Sequence, residues 1–172
     1  PFFLFVLLFG AVAGLKLEVL AYLAAGLLGT FLAARKLGCG RPASVFAAVV
    51  FMFCSWFAVR VVVGHTTFFP FALLPLVFFF YLNSTTAADL PKKIRCVVAA
   101  AITLSIMFLS GGIYPFYAAV LLLVLYSLLD FVSMKKIGPV AAVAAILLFA
   151  LLLSSVKLLP VVDFTSGVAA EK

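Results

Sequence analysis

Acidic side chains are nearly missing from this sequence: five Asp and Glu stand among 172 residues, beside a single His and a single Trp. Charged residues make up only 10% of the chain, where soluble domains carry roughly a quarter. That shortage excludes a water-soluble globule, whose core would need a polar coat that these residues cannot supply. Cysteine is also scarce. Cys39, Cys54 and Cys96 form no CxxC pair and have no nearby His at metal-ligand spacing, so no disulfide or zinc site is expected and all three read as small packing residues. No stretch matches the GxxxxGK[ST] phosphate loop, and no long basic tract or basic face interleaved with aromatics suits a nucleic acid.

What is abundant is apolar. Hydrophobic residues make up 68% of the chain, a composition that lipid can solvate. A bilayer core of about 30 Å needs roughly 20 helical residues. Seven segments of that kind are expected, at about 1–15, 17–34, 43–63, 68–82, 96–110, 113–133 and 137–156. The runs lack strict alternation and are too long for barrel strands. The expected fold is therefore all-α, a polytopic transmembrane helix bundle with six to seven membrane segments in a single domain over 1–172. Pro42, Pro115 and Pro139 lie near segment starts, where a missing N–H matters little. Pro70 and Pro75 fall within the fourth segment, which should be kinked or re-entrant. The chain opens at Pro1 inside a hydrophobic run and stops at Glu171-Lys172 soon after a polar segment begins, as expected of a piece of a longer protein, truncated at both ends.

Eight of the 12 basic residues fall in three clusters, Arg35-Lys36…Arg41, Lys92-Lys93-Arg95 and Lys135-Lys136. They follow every second hydrophobic segment. Under the positive-inside rule, residues 35–42, 83–95 and 134–136 are cytoplasmic turns, suited to anionic membrane lipids. Residues 64–67, 111–114 and 157 onward then emerge on the opposite side. Lys16 and Glu18 mark a further outer turn, making the first segment a truncated span or a re-entrant arm. The fifth segment is short, and is expected to be tilted or shielded by its neighbours. Ala21, Ala25, Gly29 and Ala33 form a small-residue stripe, read as intramolecular packing. Asn83-Ser84-Thr85 matches a glycosylation sequon, but in a cytoplasmic polar turn it would stay unmodified.

The outer side holds the candidate binding residues. Arg60 lies about one turn below the end of the third segment, with Trp56 four residues earlier on the same face. It reads either as an interfacial anchor or as a phosphate-binding cation facing a polar cavity. His65 is the one imidazole, able to exchange protons or hold a hydroxyl, and alone it makes no metal site. Ser110-Gly111-Gly112-Ile113-Tyr114-Pro115 forms another turn on that side, where Tyr114 could hydrogen-bond a ligand. Lys157 and Asp163 leave the last helix there, the first suited to an anionic headgroup and the second to a sugar hydroxyl. Arg60, His65, Tyr114, Lys157 and Asp163 are thus expected to border one substrate-binding cavity.

The stretch Leu28-Gly29-Thr30-Phe31-Leu32-Ala33-Ala34-Arg35-Lys36-Leu37-Gly38, then Gly64-His65 and Ala72-Leu73-Leu74-Pro75-Leu76, resembles polytopic GT-C-type glycosyltransferases, particularly bacterial YfhO-like membrane proteins. Ser110-Gly111-Gly112…Tyr114 and Lys157-Leu158-Leu159-Pro160 extend the similarity over positions 20–166. The resemblance implies a many-helix enzyme of a bacterial-type inner membrane. It would transfer a sugar from a polyprenyl-phosphate donor to a glycan, lipid or protein acceptor on the extracytoplasmic face. Such enzymes usually carry an acidic residue in their first outer loop, as base or as ligand to a metal where one is used. No matching motif appears here, so the catalytic residue is unassigned, no cofactor is evident, and a divalent metal stays open for a longer protein. A lipid-linked substrate transporter or flippase is the main alternative, and a noncatalytic membrane scaffold the third.

Overall fold

In the computed structural model, backbone is described for residues 3–170 and side chains for 5–133 and 135–160. The chain is helical almost throughout, with no strand among the described residues. In order the elements are α1 (Phe3–Lys36), α2 (Arg41–Phe53), α3 (Ser55–Val63), a 3-10 helix (Thr66–Leu73), α4 (Leu74–Thr86), α5 (Leu90–Leu109), α6 (Ile113–Met134) and α7 (Gly138–Ala170). Among the described residues, five stretches are long and apolar enough to cross a membrane: Phe5–Lys36, Arg41–Val63, Thr66–Thr86, Ile113–Ser133 and Gly138–Pro160.

The helix boundaries correct several sequence expectations. Lys16 and Glu18 occupy no turn; the break in α1 is at Gly10, in a backbone conformation closed to a helix (φ 78, ψ 169). Residues 3–9 fold back there, bringing Val6 against Gly14. Residues 11–36 then form one uninterrupted run. The expected span 43–63 is two helices, interrupted at Cys54, whose extended backbone (ψ 151) ends α2 and begins α3. The fourth segment changes from a 3-10 helix to an α-helix at Leu74, and its two prolines act differently. Pro70 sits inside the 3-10 helix, whereas Pro75 opens α4, where it forfeits no helical hydrogen bond. Asn83-Ser84-Thr85 is the end of α4, not a turn, and Ser84 is buried with its hydroxyl donating to the Tyr81 carbonyl. α7 continues through Pro160 well past residue 156. Cys39 and Cys54 are exposed, so neither is the packed residue expected.

α5 begins at Leu90 rather than 96, because Asp89 and Pro91 start a helix whose first two turns carry Lys92, Lys93 and Arg95. It is the hub of the bundle, packed on α4 and α7 and shielded as anticipated: Ala100, Ala101, Leu104 and Met107 are wholly buried. The core around it includes Tyr22, Met52, Phe69, Val77, Tyr81, Leu123 and Ile146. α1 lies against α2 and α4. Its small-residue stripe lets them approach: a Cβ at Gly29 would stand 2.9 Å from the Leu76 amide nitrogen of α4. Outward, the helices present Phe46, Val62, Leu129 and Val132, an apolar coat suited to lipid. Ser105 shares its hydroxyl proton between the Ala101 carbonyl of α5 at 2.8 Å and, more weakly, the Ala150 carbonyl of α7 at 3.2 Å. Such polar contacts matter because apolar burial gives membrane helices little drive to associate.

The two ends of this bundle differ. Lys36, Lys93 and Lys136, one from each basic cluster, line a single cavity at one end. At the other, the Gly111-Gly112 turn packs against Thr67 and Pro70 of the 3-10 helix.

Candidate functional site

The site at the second end is assembled by the way α3 stops. Gly64 adopts a left-handed conformation (φ 75), which glycine enters without the steric penalty of a Cβ. The chain doubles back so that the His65 amide donates to the Arg60 carbonyl at 2.9 Å. The same reversal brings the His65 side chain over Arg60, with Nη1 to Nδ1 2.9 Å. Guanidinium has no lone pair to offer, so Nδ1 is the acceptor, and the neutral ring carries its proton on Nε2. His65 is exposed, leaving Nε2–H as a donor toward any ligand at this end.

The 3-10 helix then lays Phe68 beside Arg60, with the guanidinium carbon 4.2 Å from the ring centroid. Trp56, the partner expected from its i−4 spacing, lies at 5.6 Å. Phe68 in turn stacks on Tyr114, centroids 5.6 Å apart and planes 3° from parallel. Arg60 is thus a half-buried cation in an aromatic cage, worth about 0.5–2 kcal/mol for each good ring contact. Gly112 holds the second hairpin close enough for that stacking: a Cβ there would meet Pro70 and the Met107 carbonyl at 2.9 Å.

Beneath the cage runs an apolar crevice of about 360 Å³, formed where α2 breaks at Cys54 and lined by Phe51, Trp56, Phe57, Phe71 and Ala72 among others. Trp56 belongs to both features, and its ring centroid is 4.8 Å from that of Phe71. A cation capped by a proton donor therefore adjoins a greasy slot. That arrangement suits an amphiphile with an anionic head.

The five expected residues do not all converge. Arg60, His65 and Tyr114 share one cluster through Phe68. Lys157 instead donates to the Phe108 carbonyl at 3.0 Å and lies 5.2 Å from the Phe108 ring. That carbonyl is in the last turn of α5, where it also accepts from the Gly111 amide at 3.1 Å, and its second lone pair and the helix dipole favour a cation. Among the described residues no hydrogen bond or ring contact joins Lys157 to the Arg60 cage. Its position explains it as a clamp between α7 and α5, and Lys157→Gln should lower stability by about 1 kcal/mol, read as an earlier thermal midpoint in detergent. An unchanged midpoint would remove the clamp. Asp163 lies outside the residues whose side chains are described.

Two further residues stand at this end, Phe68 within the cage and Glu18 near it. Phe68 follows Arg60 across a chain reversal, and no helical periodicity links them. Glu18 was assigned to a turn, yet it is half-buried on α1, within electrostatic reach of Tyr22, whose hydroxyl neighbours Ser110. The adjacent Lys16 and Val19 share a crevice with Val61 of α3, so Glu18 belongs to the same end as Arg60. The i, i+4 spacing of Glu18 and Tyr22 was the available signal. Among the described residues, no three His, Cys, Asp or Glu side chains gather to hold a metal. No family model matches this sequence, and no curated protein or solved structure is similar to it.

Proposed function

We propose that this chain belongs to a membrane glycosyltransferase of the GT-C type, taking a sugar from a polyprenyl-phosphate donor at the Arg60 end. The observation that carries the reading is the shared Trp56: the guanidinium cage and the apolar crevice meet at one residue. A polyprenyl chain suits the crevice, and its phosphate suits the guanidinium. As the glycosidic bond to the donor phosphate breaks, negative charge grows on the leaving oxygen, and a fixed cation beside it lowers the barrier. Arg60 serves that role, with its geometry set by His65 and Phe68. His65 Nε2–H and the exposed Tyr114 hydroxyl position the sugar or the acceptor. Base catalysis at the acceptor hydroxyl needs a carboxylate, and no residue is assigned to it.

The positive-inside rule puts the Arg60 end on the extracytoplasmic side of a bacterial-type inner membrane. The exposed thiol of Cys39, beside the first basic cluster, reports on this in a C54S/C96S background. An impermeant maleimide added to intact cells should leave Cys39 unmodified until the membrane is opened, and immediate labelling would invert the orientation.

The test of function uses the purified full chain with a photoreactive polyprenyl-phosphate sugar. Cross-links should map to the peptide carrying Trp56 or Phe71, and labelled sugar should pass to an added acceptor. Cross-links confined to other helices would refute the reading. Transport has one specific observation in its favour: the helix breaks at Gly10 and Cys54 are of the kind that line transporter sites. Donor movement across proteoliposomes without sugar transfer would select it.

A further inference from the structure

The cavity at the opposite end carries a second, independent inference, which does not rest on glycosyl transfer. Its volume is about 430 Å³, and Lys36, Lys93 and Lys136 reach it from α1, α5 and the α6–α7 turn. Spread along the sequence, these lysines look like separate interfacial anchors; the fold makes them walls of one space. Among the described residues Asp130 is the one carboxylate lining it, so three ammonium groups face a single acid. Asp130 is oriented by Tyr81, whose hydroxyl donates to Oδ2 at 3.2 Å. Among the described residues no ion pair joins Asp130 to any lysine. The surplus of positive charge is therefore not neutralised from within.

The rest of the lining has the opposite hydrogen-bonding character. The Thr85 and Thr86 hydroxyls both donate to the Leu82 carbonyl, at 3.1 and 2.8 Å. Their protons are committed, and they present lone pairs to the cavity along with Asp130. The space thus offers cationic donors for an anion and acceptors for hydroxyl groups. Lys93 also lines a neighbouring apolar groove of about 340 Å³ between α5 and α7, with Leu90, Ile94, Val98, Ala145 and Phe149. A headgroup seated among the lysines would have its acyl chain beside that groove.

The geometry points to a built site for a phosphate-headed membrane lipid whose headgroup carries free hydroxyls. The phosphate lies among Lys36, Lys93 and Lys136, the hydroxyls donate to Asp130 and Thr85, and a chain occupies the α5–α7 groove. A free phosphate ester would satisfy the lysines but leave the groove unused. Charge complementarity together with the shared Lys93 selects the lipid.

Native mass spectrometry of the detergent-purified full chain tests this, with phosphatidylglycerol, phosphatidic acid, phosphatidylcholine and soluble glycerol phosphate as probes. Phosphatidylglycerol should be retained selectively. K93Q/K136Q should weaken it roughly 25-fold, about fivefold for each lysine lost at a membrane surface. A145F, which fills the groove, should weaken the lipid while leaving the lysines intact. D130N should reduce the preference for phosphatidylglycerol over phosphatidic acid, which lacks the headgroup hydroxyls. Because Lys136 is exposed but Lys93 is half-buried, far-ultraviolet circular dichroism and thermal midpoints keep misfolding apart from lost binding. Equal retention of phosphatidylcholine, an unaffected lysine double variant, or glycerol phosphate binding as tightly as the lipid would each overturn the site.

Discussion

Arg60→Gln is expected to lower sugar transfer by about 10²–10³-fold, with donor binding weakened much less. The reason lies in where charge develops. A phosphate leaving group gains negative charge as the glycosidic bond breaks, and removing one preorganised stabiliser of such charge typically costs about 3–4 kcal/mol in the transition state. Arg60 is preorganised in this sense: His65 Nδ1 holds its Nη1 at 2.9 Å, and the Phe68 ring lies 4.2 Å away. Arg60→Lys separates charge from shape. Lysine keeps the charge but lacks the planar fork that stacks on an aromatic ring, so it should recover only part of the loss. Single-turnover rates with the lipid donor give the comparison, alongside expression and thermal midpoint to verify the fold. Full activity in Arg60→Gln would leave the cation as an interfacial anchor and remove the phosphate role.

Gly29→Val should lower stability by about 3 kcal/mol, at the upper end of overpacking effects. The added Cβ alone would stand 2.9 Å from the Leu76 nitrogen and 3.1 Å from its Cα. These are backbone atoms of α4 and cannot swing aside as a side-chain tip does, so α1 and α4 must separate. α4 also carries Tyr81 and Val77 into the core, and the shift would spread there. Ala24→Val, on an exposed face of the same helix, is the control and should stay within about 0.5 kcal/mol. Denaturant titration in mixed micelles measures both. Equal stability of the two variants would show that the stripe does not hold α1 against α4.

Composition made the helical bundle legible, because a chain with so few polar groups must satisfy its backbone internally if it meets lipid. The gathering of the three basic clusters at one end was readable too, because their spacing matches pairs of helical segments running out and back. Arg60 with Trp56 was readable from i, i+4 geometry. Phe68 was not, since it reaches Arg60 only through the reversal at Gly64. Lys157 meets α5 instead of the Arg60 cage because its partner is a backbone carbonyl 49 residues away, and a carbonyl leaves no mark in the side-chain pattern. Glu18 was misplaced by its charge, which looked like a turn until the helix break proved to be at Gly10.

By itself the sequence determined the material: apolar helices, basic clusters at the ends of alternate helices, and a small-residue face on α1. Those properties are local, fixed by side-chain solvation and helical period. The tertiary structure alone decided which polar groups meet. It joined His65 to Arg60, gave Lys157 to the end of α5, and made one cavity from three distant lysines, because such contacts depend on how helices break, cross and turn back.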